Sequence, residues 1–236
     1  MENIIPEQRN TVKLTGCVTE APKPSHTSFG EAFYLFSVST ARTSGNCDII
    51  PVLLSEYIYS VNDIKPGDRI YVEGQFRSHN TAEQGEAAKL KLMVFASKFA
   101  KFEELEKENI ELPRTYTEGE KKASDINEIV LDGFICKPPV YRITPMSREI
   151  ADVMLAVNRL YHKSDYIPCV CWGRNAKFCG KRAVGDRVVV TGRIQSRTYV
   201  KKYPDGTAEE RTICEVSCGS FEFIKPEETE AETQES

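Results

Sequence analysis

The feature of this sequence that most constrains its fold is an internal repeat. Similar segments recur in the same order at offsets of 117 and then 118 residues, pairing 10–16 with 127–133, 48–51 with 165–168, and 67–74 with 185–192. Several motifs in one order and at one spacing indicate two copies of one structural unit. In a chain of 236 residues, each copy has the size of a small domain.

The repeated unit is predicted to be a small β-barrel. Apolar and polar residues alternate in Val12–Val18 and Ile129–Ile135, which is typical of a strand with one buried face. Four more strands are predicted per copy, at Phe33–Val38, Cys47–Leu54, Arg69–Ser78 and Lys89–Lys98, and at Val153–Val157, Tyr166–Trp172, Arg187–Tyr199 and Arg211–Phe223. Short helical or irregular stretches separate the third strand from the fourth, at Ser55–Ile64 and Arg174–Arg182. This pattern is typical of the OB-fold, a five-stranded barrel that often binds oligonucleotides.

The predicted fold class is therefore mainly β, with two tandem OB-fold barrels, short helices and a disordered acidic C-terminal tail. Domain 1 is predicted at residues 1–112 and domain 2 at residues 126–224, joined by a polar linker at 113–125. The charged segment 101–111 lacks Gly and Pro and is predicted to form a short surface helix. The tail, residues 225–236, has five Glu and no aromatic or large aliphatic residue, which predicts disorder.

Charge is distributed unevenly, although the formal net charge of the whole chain is only −4. Residues 1–112 contain 12 basic and 16 acidic side chains, whereas residues 125–224 contain 15 basic and 12 acidic ones. The segment 174–202 holds nine basic residues and one acidic residue, Asp186. Because local charge sets the attraction to a phosphate backbone, domain 2 is the better candidate for nucleic-acid binding. The alternative for this segment is an ordinary solvated surface.

Two predicted strands of domain 2 carry aromatic and cationic side chains on the face away from the core. In the third strand, Tyr166 and Trp172 have the parity opposite to the apolar set Ile167, Cys169 and Cys171. In the fourth strand, the parity opposite to the apolar residues Val188, Val190 and Ile194 holds Arg187, Arg193, Arg197, Tyr199 and Lys201. Sequence-tolerant binding of single strands needs flat faces for base stacking beside cations for the backbone, and this face has both.

Domain 2 resembles the bacterial single-stranded DNA-binding protein (SSB) family over roughly residues 126–224. The motifs that carry the resemblance lie in the segments 127–133, 155–156, 172–173 and 184–194. The family displays an aromatic platform for stacked bases, and its four positions fall by motif on Tyr161, Tyr166, Trp172 and Tyr199. For any one of these residues alone, the alternative is a half-buried position in the barrel. The cations expected to contact the DNA backbone are Arg159, Arg174, Lys177, Arg193, Arg197, Lys201 and Lys202.

Domain 1 departs from this pattern. The repeat offsets place its equivalents of the four platform residues at positions 43 or 44, 49, 54 or 55, and 81, none of which is aromatic. Gln75 stands where domain 2 has Arg193. Domain 1 is therefore predicted to keep the barrel, lose the binding face and serve mainly assembly. Its own aromatic residues are expected in the core or an interface, with a different binding patch as the alternative: Phe29, Phe33 and Tyr34.

No catalytic site, metal site or cofactor is predicted. The histidines lie in no recognisable motif, and no P-loop, dinucleotide-binding or nucleophile-elbow motif is present. Asp68, Asp165 and Asp186 are assigned to turns. The closely spaced cysteines lie on predicted strands and are expected to pack, reduced, in the core instead of binding zinc: Cys169 with Cys171, and Cys214 with Cys218.

The predicted function is non-enzymatic coating of single-stranded DNA during replication, recombination or repair. The alternative is a primosomal-type OB-fold interaction module with weak nucleic-acid affinity. SSB-family proteins work as assemblies of four OB domains, so the resemblance implies a homodimer of this two-domain chain. It also implies recruitment of replication or repair proteins through the tail, although the segment 233–236 departs from the family's usual tip.

The sequence also predicts where the protein resides. It shows no signal peptide, and no stretch approaches the ~20 apolar residues of a membrane span. A cytoplasmic, nucleoid-associated location without membrane contact is therefore expected.

Overall fold

The computed structural model describes residues 10–81, 89–107, 124–159, 163–202 and 206–225. The N-terminal barrel consists of β1 (Asn10–Val18), β2 (Lys23–Ser28), β3 (Glu31–Ala41), β4 (Cys47–Ser55), β5 (Arg69–Thr81) and β6 (Lys89–Lys101). A 3-10 turn, Val61–Asp63, follows β4, and α1 (Phe102–Lys107) follows β6. Helix α1 lies within the predicted surface helix, whose remaining residues lie outside the described ones.

The C-terminal barrel repeats this order of elements. Its strands are β7 (Asn127–Ile135), β8 (Val140–Ile143), β9 (Glu149–Asn158), β10 (Ser164–Trp172), β11 (Arg187–Lys202) and β12 (Ala208–Phe223). Helix α2 (Arg174–Cys179) lies between β10 and β11. The mainly β fold predicted from the repeat is confirmed. The predicted tail and most of the predicted linker lie outside the described residues.

All twelve strands form one hydrogen-bonded sheet with the order β2-β3-β4-β6-β5-β1-β7-β11-β12-β10-β9-β8. The second half of this order is the mirror image of the first. Each half curls into a barrel, because β1 also pairs with β3 and β7 also pairs with β9. The halves meet through an antiparallel ladder between β1 and β7, in which Val12 lies opposite Ile129.

The barrel cores follow from the alternation seen in the sequence. Val12 and Leu14 of β1 are almost fully buried, as are their counterparts Ile129 and Leu131 of β7. The cysteines of the C-terminal barrel extend its core, and the prediction that they pack there is confirmed for Cys169, Cys171, Cys214 and Cys218, all of them buried. Large apolar side chains at every second position exclude water from each barrel, and this is the main stabilising term.

Each barrel has one more strand than the five predicted. The additional strands, β2 and β8, form the two ends of the sheet and are exposed along almost their whole length. A strand without a buried face has no apolar alternation, so the pattern used for the other strands could not reveal these two.

The prediction of turn roles is confirmed for Asp68 and Asp186, which accept hydrogen bonds from the backbone N–H groups of Lys65 and Ala183.

Two buried aspartates join the barrels. Asp48 of β4 is fully buried and accepts hydrogen bonds from Arg42 of its own barrel, from Arg193 at 3.0 Å and from the backbone N–H of Ser196 at 2.7 Å. The Ser196 hydroxyl in turn accepts from the backbone N–H of Ile49 at 2.8 Å. One carboxylate therefore satisfies donors from both barrels, as a buried charge must.

The second aspartate, Asp165 of β10, repeats the arrangement in the opposite direction. Its carboxylate accepts from Arg159 at 2.6 Å and from the backbone N–H of Ser78, on β5 of the other barrel, at 2.6 Å. The Ser78 hydroxyl accepts from the backbone N–H of Tyr166 at 2.9 Å. Its predicted turn role is therefore wrong, because Asp165 is buried between the barrels.

Candidate nucleic-acid interface

The outer face of β10 carries two exposed aromatic side chains. Trp172 is 42% exposed and Tyr166 is 47% exposed, whereas Ile167, Cys169 and Cys171 of the same strand point into the core and are at most 1% exposed. The face assignment made for this strand is confirmed. Two large rings thus remain in solvent on one strand, separated by Pro168 and Val170.

A second part of the outer face of this barrel is formed by β11, which is separated from β10 by β12. Val190 and Ile194 are fully buried, and the opposite face carries Tyr199, which is 37% exposed, and Arg197. The Arg197 guanidinium carbon lies 6.0 Å from the centre of the Tyr199 ring, at the outer limit of a cation–π contact. A cation and an aromatic ring therefore lie side by side. This is the arrangement that is needed to contact a phosphate and to stack on a base.

A chain of polar contacts fixes the side chains along β11. Arg193 donates to Gln195 at 3.0 Å, Gln195 donates to Glu215 of β12 at 2.7 Å, and Arg197 lies 3.6 Å from the other oxygen of Glu215. Sequence reasoning missed Glu215. The alternation of Cys214, Val216 and Cys218 already placed it on the outer face, but only the strand register puts it opposite Gln195.

Two of the cations predicted for DNA contact lie instead at the junction between the barrels. Arg193 binds Asp48 of the N-terminal barrel, and Arg159 binds Asp165 and donates to the Ser78 carbonyl at 3.1 Å. Burial and the nearby Arg42 lower the pKa of Arg193. The period-two pattern indicates on which face of a strand a residue lies, but not what covers that face. The sequence therefore could not show that the N-terminal barrel contacts these two arginines.

A sequence signal for this junction was present. An arginine precedes each buried aspartate by the same spacing in both copies, as Arg42 with Asp48 and Arg159 with Asp165. A conserved spacing between a cation and an acid at the start of equivalent strands is typical of a structural ion pair. The structure confirms such a pair in each barrel.

The remaining predicted cations are distributed around the aromatic face. Arg174, the first residue of α2, is exposed and forms no ion pair with any residue that the structure describes. Lys177 of α2 forms an ion pair with Glu149 at 3.0 Å, and this contact raises the pKa of the lysine. Lys201 is exposed near the end of β11. Tyr161 and the side chain of Lys202 lie outside the described residues.

The aromatic residues of the N-terminal barrel have mixed positions. Tyr34 packs against the core, which confirms a core position for it, whereas Phe33 is buried on the outer side of β3, where it contacts His26 and Phe95. Phe29 does not lie in the core, because it is fully exposed in the turn between β2 and β3, where it has a positive φ of 49°. No helix within the described part of the chain is long and apolar enough to cross a membrane.

A solved structure with the same architecture is known. The wild-type single-stranded DNA binding protein from Thermus aquaticus superposes with a TM-score of 0.64 over 94% of this chain and 96% of that protein. At 20% sequence identity, this likeness shows a shared fold. Both barrels take part in it, because nearly the whole of each chain is matched.

Sequence comparison identifies the family. Residues 126–224 match the model of the single-strand binding protein family. The single-stranded DNA-binding protein of Caldanaerobacter subterraneus subsp. tengcongensis is 32% identical over 43% of this chain and 69% of its own length. Single-stranded DNA-binding protein 1 of Staphylococcus aureus is 33% identical over 62% of its length, and protein 3 of Streptococcus agalactiae is 31% identical over 83%. This chain therefore belongs to the single-strand binding protein family.

Proposed function

We propose that this protein binds single-stranded DNA on the outer face of its C-terminal barrel. The observation that carries the proposal is the set of three half-exposed rings on the outer faces of β10 and β11: Tyr166, Trp172 and Tyr199. Bases stack on such rings without regard to sequence, at ~1–3 kcal/mol per base. The family motif adds Tyr161 as a fourth stacking residue.

The cations that contact phosphates in this proposal are those whose charge is not used to join the barrels. They are Arg174, Lys177, Arg197, Lys201 and Lys202. Arg159 and Arg193 are assigned instead to the junction, where each binds a buried aspartate. A substitution of either one is thus expected to alter barrel packing as well as DNA affinity.

The proposed role is to coat single-stranded DNA during replication, recombination or repair, without catalysis. The relatives named above carry single-stranded DNA binding in their names. We place the protein in the cytoplasm, at DNA of the nucleoid. We also propose that replication or repair proteins are its partners.

A titration with oligo-dT tests this function. Trp172 is the only tryptophan of the chain, so its fluorescence reports on the platform alone. Stacking of a base on its ring is expected to quench the fluorescence to saturation at low salt, with an affinity that falls as salt rises. Absence of quenching at micromolar protein and oligonucleotide would contradict the proposal and favour an interaction module with weak nucleic-acid affinity.

We further propose that the chain forms a homodimer with four barrels. The centre of the continuous sheet presents an outer face formed by β1 and β7, where Val130 is 40% exposed and the half-buried Tyr71 lies on the adjoining strand β5. A second copy would cover this face. Light scattering is expected to give twice the chain mass of 26.6 kDa, and a mass of one chain at micromolar concentration would contradict the dimer.

A further inference from the structure

The outer face of the N-terminal barrel carries a row of four stacked side chains. His26 of β2 stacks on Phe33 of β3 with ring centres 4.9 Å apart and planes 9° from parallel. Phe33 packs on Phe95 of β6 at 5.7 Å, and the guanidinium carbon of Arg77 of β5 lies 3.8 Å from the centre of the Phe95 ring. The exposed ring of His26 forms one end of the row, and the half-buried guanidinium of Arg77 forms the other.

This row occupies positions different from those of the C-terminal platform. Trp172 pairs across the ladder with Ile150, whereas the equivalent pair of the N-terminal barrel is Ser55 with Phe33. The aromatic member of the pair has therefore moved from one strand to its neighbour.

The two barrels also differ at the other positions of the row. Strand pairing places Ser217 where the N-terminal barrel has Phe95, and Gln195 where it has Arg77. The C-terminal barrel thus lacks the row, just as the N-terminal barrel lacks the platform. Both barrels have rings on the outer face, at sites that do not correspond.

Arg77 makes no direct contact with an acidic side chain among the described residues, although the buried Asp165 lies close enough to act on its charge. Its guanidinium donates to the neutral side chain of Gln75 at 2.9 Å and 3.1 Å and forms no ion pair with a described carboxylate. Burial lowers the pKa of Arg77, the nearby Arg159 acts in the same direction, and Asp165 acts in the opposite one. A half-buried cation that has no direct ion pair is stabilised further by an anion that approaches it. Met93 stands beside it at the position of Glu215 in the other barrel.

The row also adjoins the proposed DNA surface. Ser78, the residue after Arg77 in β5, accepts a hydrogen bond from the backbone N–H of Tyr166. The cationic end of the row is therefore one residue away from the contact to the C-terminal platform.

From this geometry we infer that the row of His26, Phe33, Phe95 and Arg77 is a second single-stranded nucleic-acid subsite. The inference rests on the proposed function of the C-terminal platform and extends the DNA path onto the N-terminal barrel. Arg77 holds a phosphate beside Phe95, and one base stacks on the exposed ring of His26. Guanidinium planes and rings of His and Phe are the surfaces on which proteins stack unpaired bases.

The test compares two lengths of labelled oligo-dT on the full chain. An oligonucleotide of about 8 nucleotides fits one OB barrel, and one of about 35 nucleotides spans more than one. His26→Ala is expected to weaken binding of the long oligonucleotide about 5-fold or more and to leave that of the short one unchanged. Arg77→Gln, which introduces the residue found at the equivalent position 195, is expected to flatten the salt dependence of the long oligonucleotide by up to about 0.7 in log–log slope.

Two controls separate binding from packing. Thr27→Ala changes an exposed neighbour of His26 on the same strand and is expected to alter neither affinity. Photocrosslinking of a long oligonucleotide that carries 5-iododeoxyuridine is expected to label the peptide with His26 as well as the peptide with Trp172. A row that serves packing alone would not be labelled.

The two proposals fail in different ways. If His26→Ala and Arg77→Gln bind the long oligonucleotide as the unaltered protein does, and labels appear only in the C-terminal barrel, the second subsite is refuted while the proposed function stands. If neither oligonucleotide binds and Trp172 is not quenched, the proposed function itself fails.

Discussion

Trp172→Ala is expected to reduce the affinity for oligo-dT about 5- to 150-fold, the loss of one stacked base at ~1–3 kcal/mol. The ring is 42% exposed on the outer face of β10, and its removal takes away a flat surface but no charge. Because the chain then has no tryptophan, anisotropy of a labelled oligonucleotide is the measurement. Tyr57→Ala is the matched control, since Tyr57 is an exposed aromatic residue of the other barrel, and it is expected to leave the affinity unchanged.

The salt dependence distinguishes stacking from charge. Trp172→Ala should leave the slope of log affinity against log salt unchanged, whereas Arg197→Ala should flatten it by up to about 0.7, the value for one phosphate contact on a single strand. Cys171→Ser, on the core face of the same strand, should reduce stability but not the affinity of the folded protein. The opposite pattern, with a slope change for Trp172→Ala alone, would mean that the strand faces are exchanged.

Asp48→Asn is expected to reduce the free energy of unfolding by about 3–5 kcal/mol, the usual effect of removing one partner from a buried charge cluster. Asp48 is fully buried and binds two arginines, one from each barrel. Asparagine keeps the shape but not the charge, so both guanidinium groups lose their counter-ion. Urea unfolding followed by circular dichroism measures the change.

Asp165→Asn is the matched substitution in the other half of the junction. Asp165 is buried as well but forms a direct ion pair only with Arg159 among the described cations, while Arg77 acts on it from a greater distance, so the expected loss is smaller, about 1–3 kcal/mol. Equal losses for the two variants would show that the Arg193 contact contributes nothing to stability.

Much of the fold was predictable because the repeat and the alternation of residues are local signals. The shared segments revealed two copies, and the parity of Ile167, Cys169 and Cys171 placed Trp172 and Tyr166 in solvent. Both inferences need only the order of residues along one strand. A barrel imposes a strict period of two on every strand that has one buried face.

The parts that sequence could not supply all depend on contacts between distant strands. Arg193 looked like a DNA contact because nothing along β11 indicates that Asp48 lies across from it. The row on the N-terminal barrel joins four strands, so no short segment of sequence contains it. Strand β2 was not predicted for another reason, because an exposed edge strand has no buried apolar face and so shows no apolar alternation.

The ladder between β1 and β7 lies within one polypeptide. This affects both how easily the two barrels separate and how far their sequences can differ. Two barrels on one chain meet at an effective concentration near the millimolar range, so dilution does not separate them as it would two subunits. A substitution in a symmetric dimer also appears twice, on both sides of the axis. Here each copy can differ alone, and the junction differs in this way: Asp48 forms direct ion pairs with two arginines, whereas Asp165 forms one among the described residues.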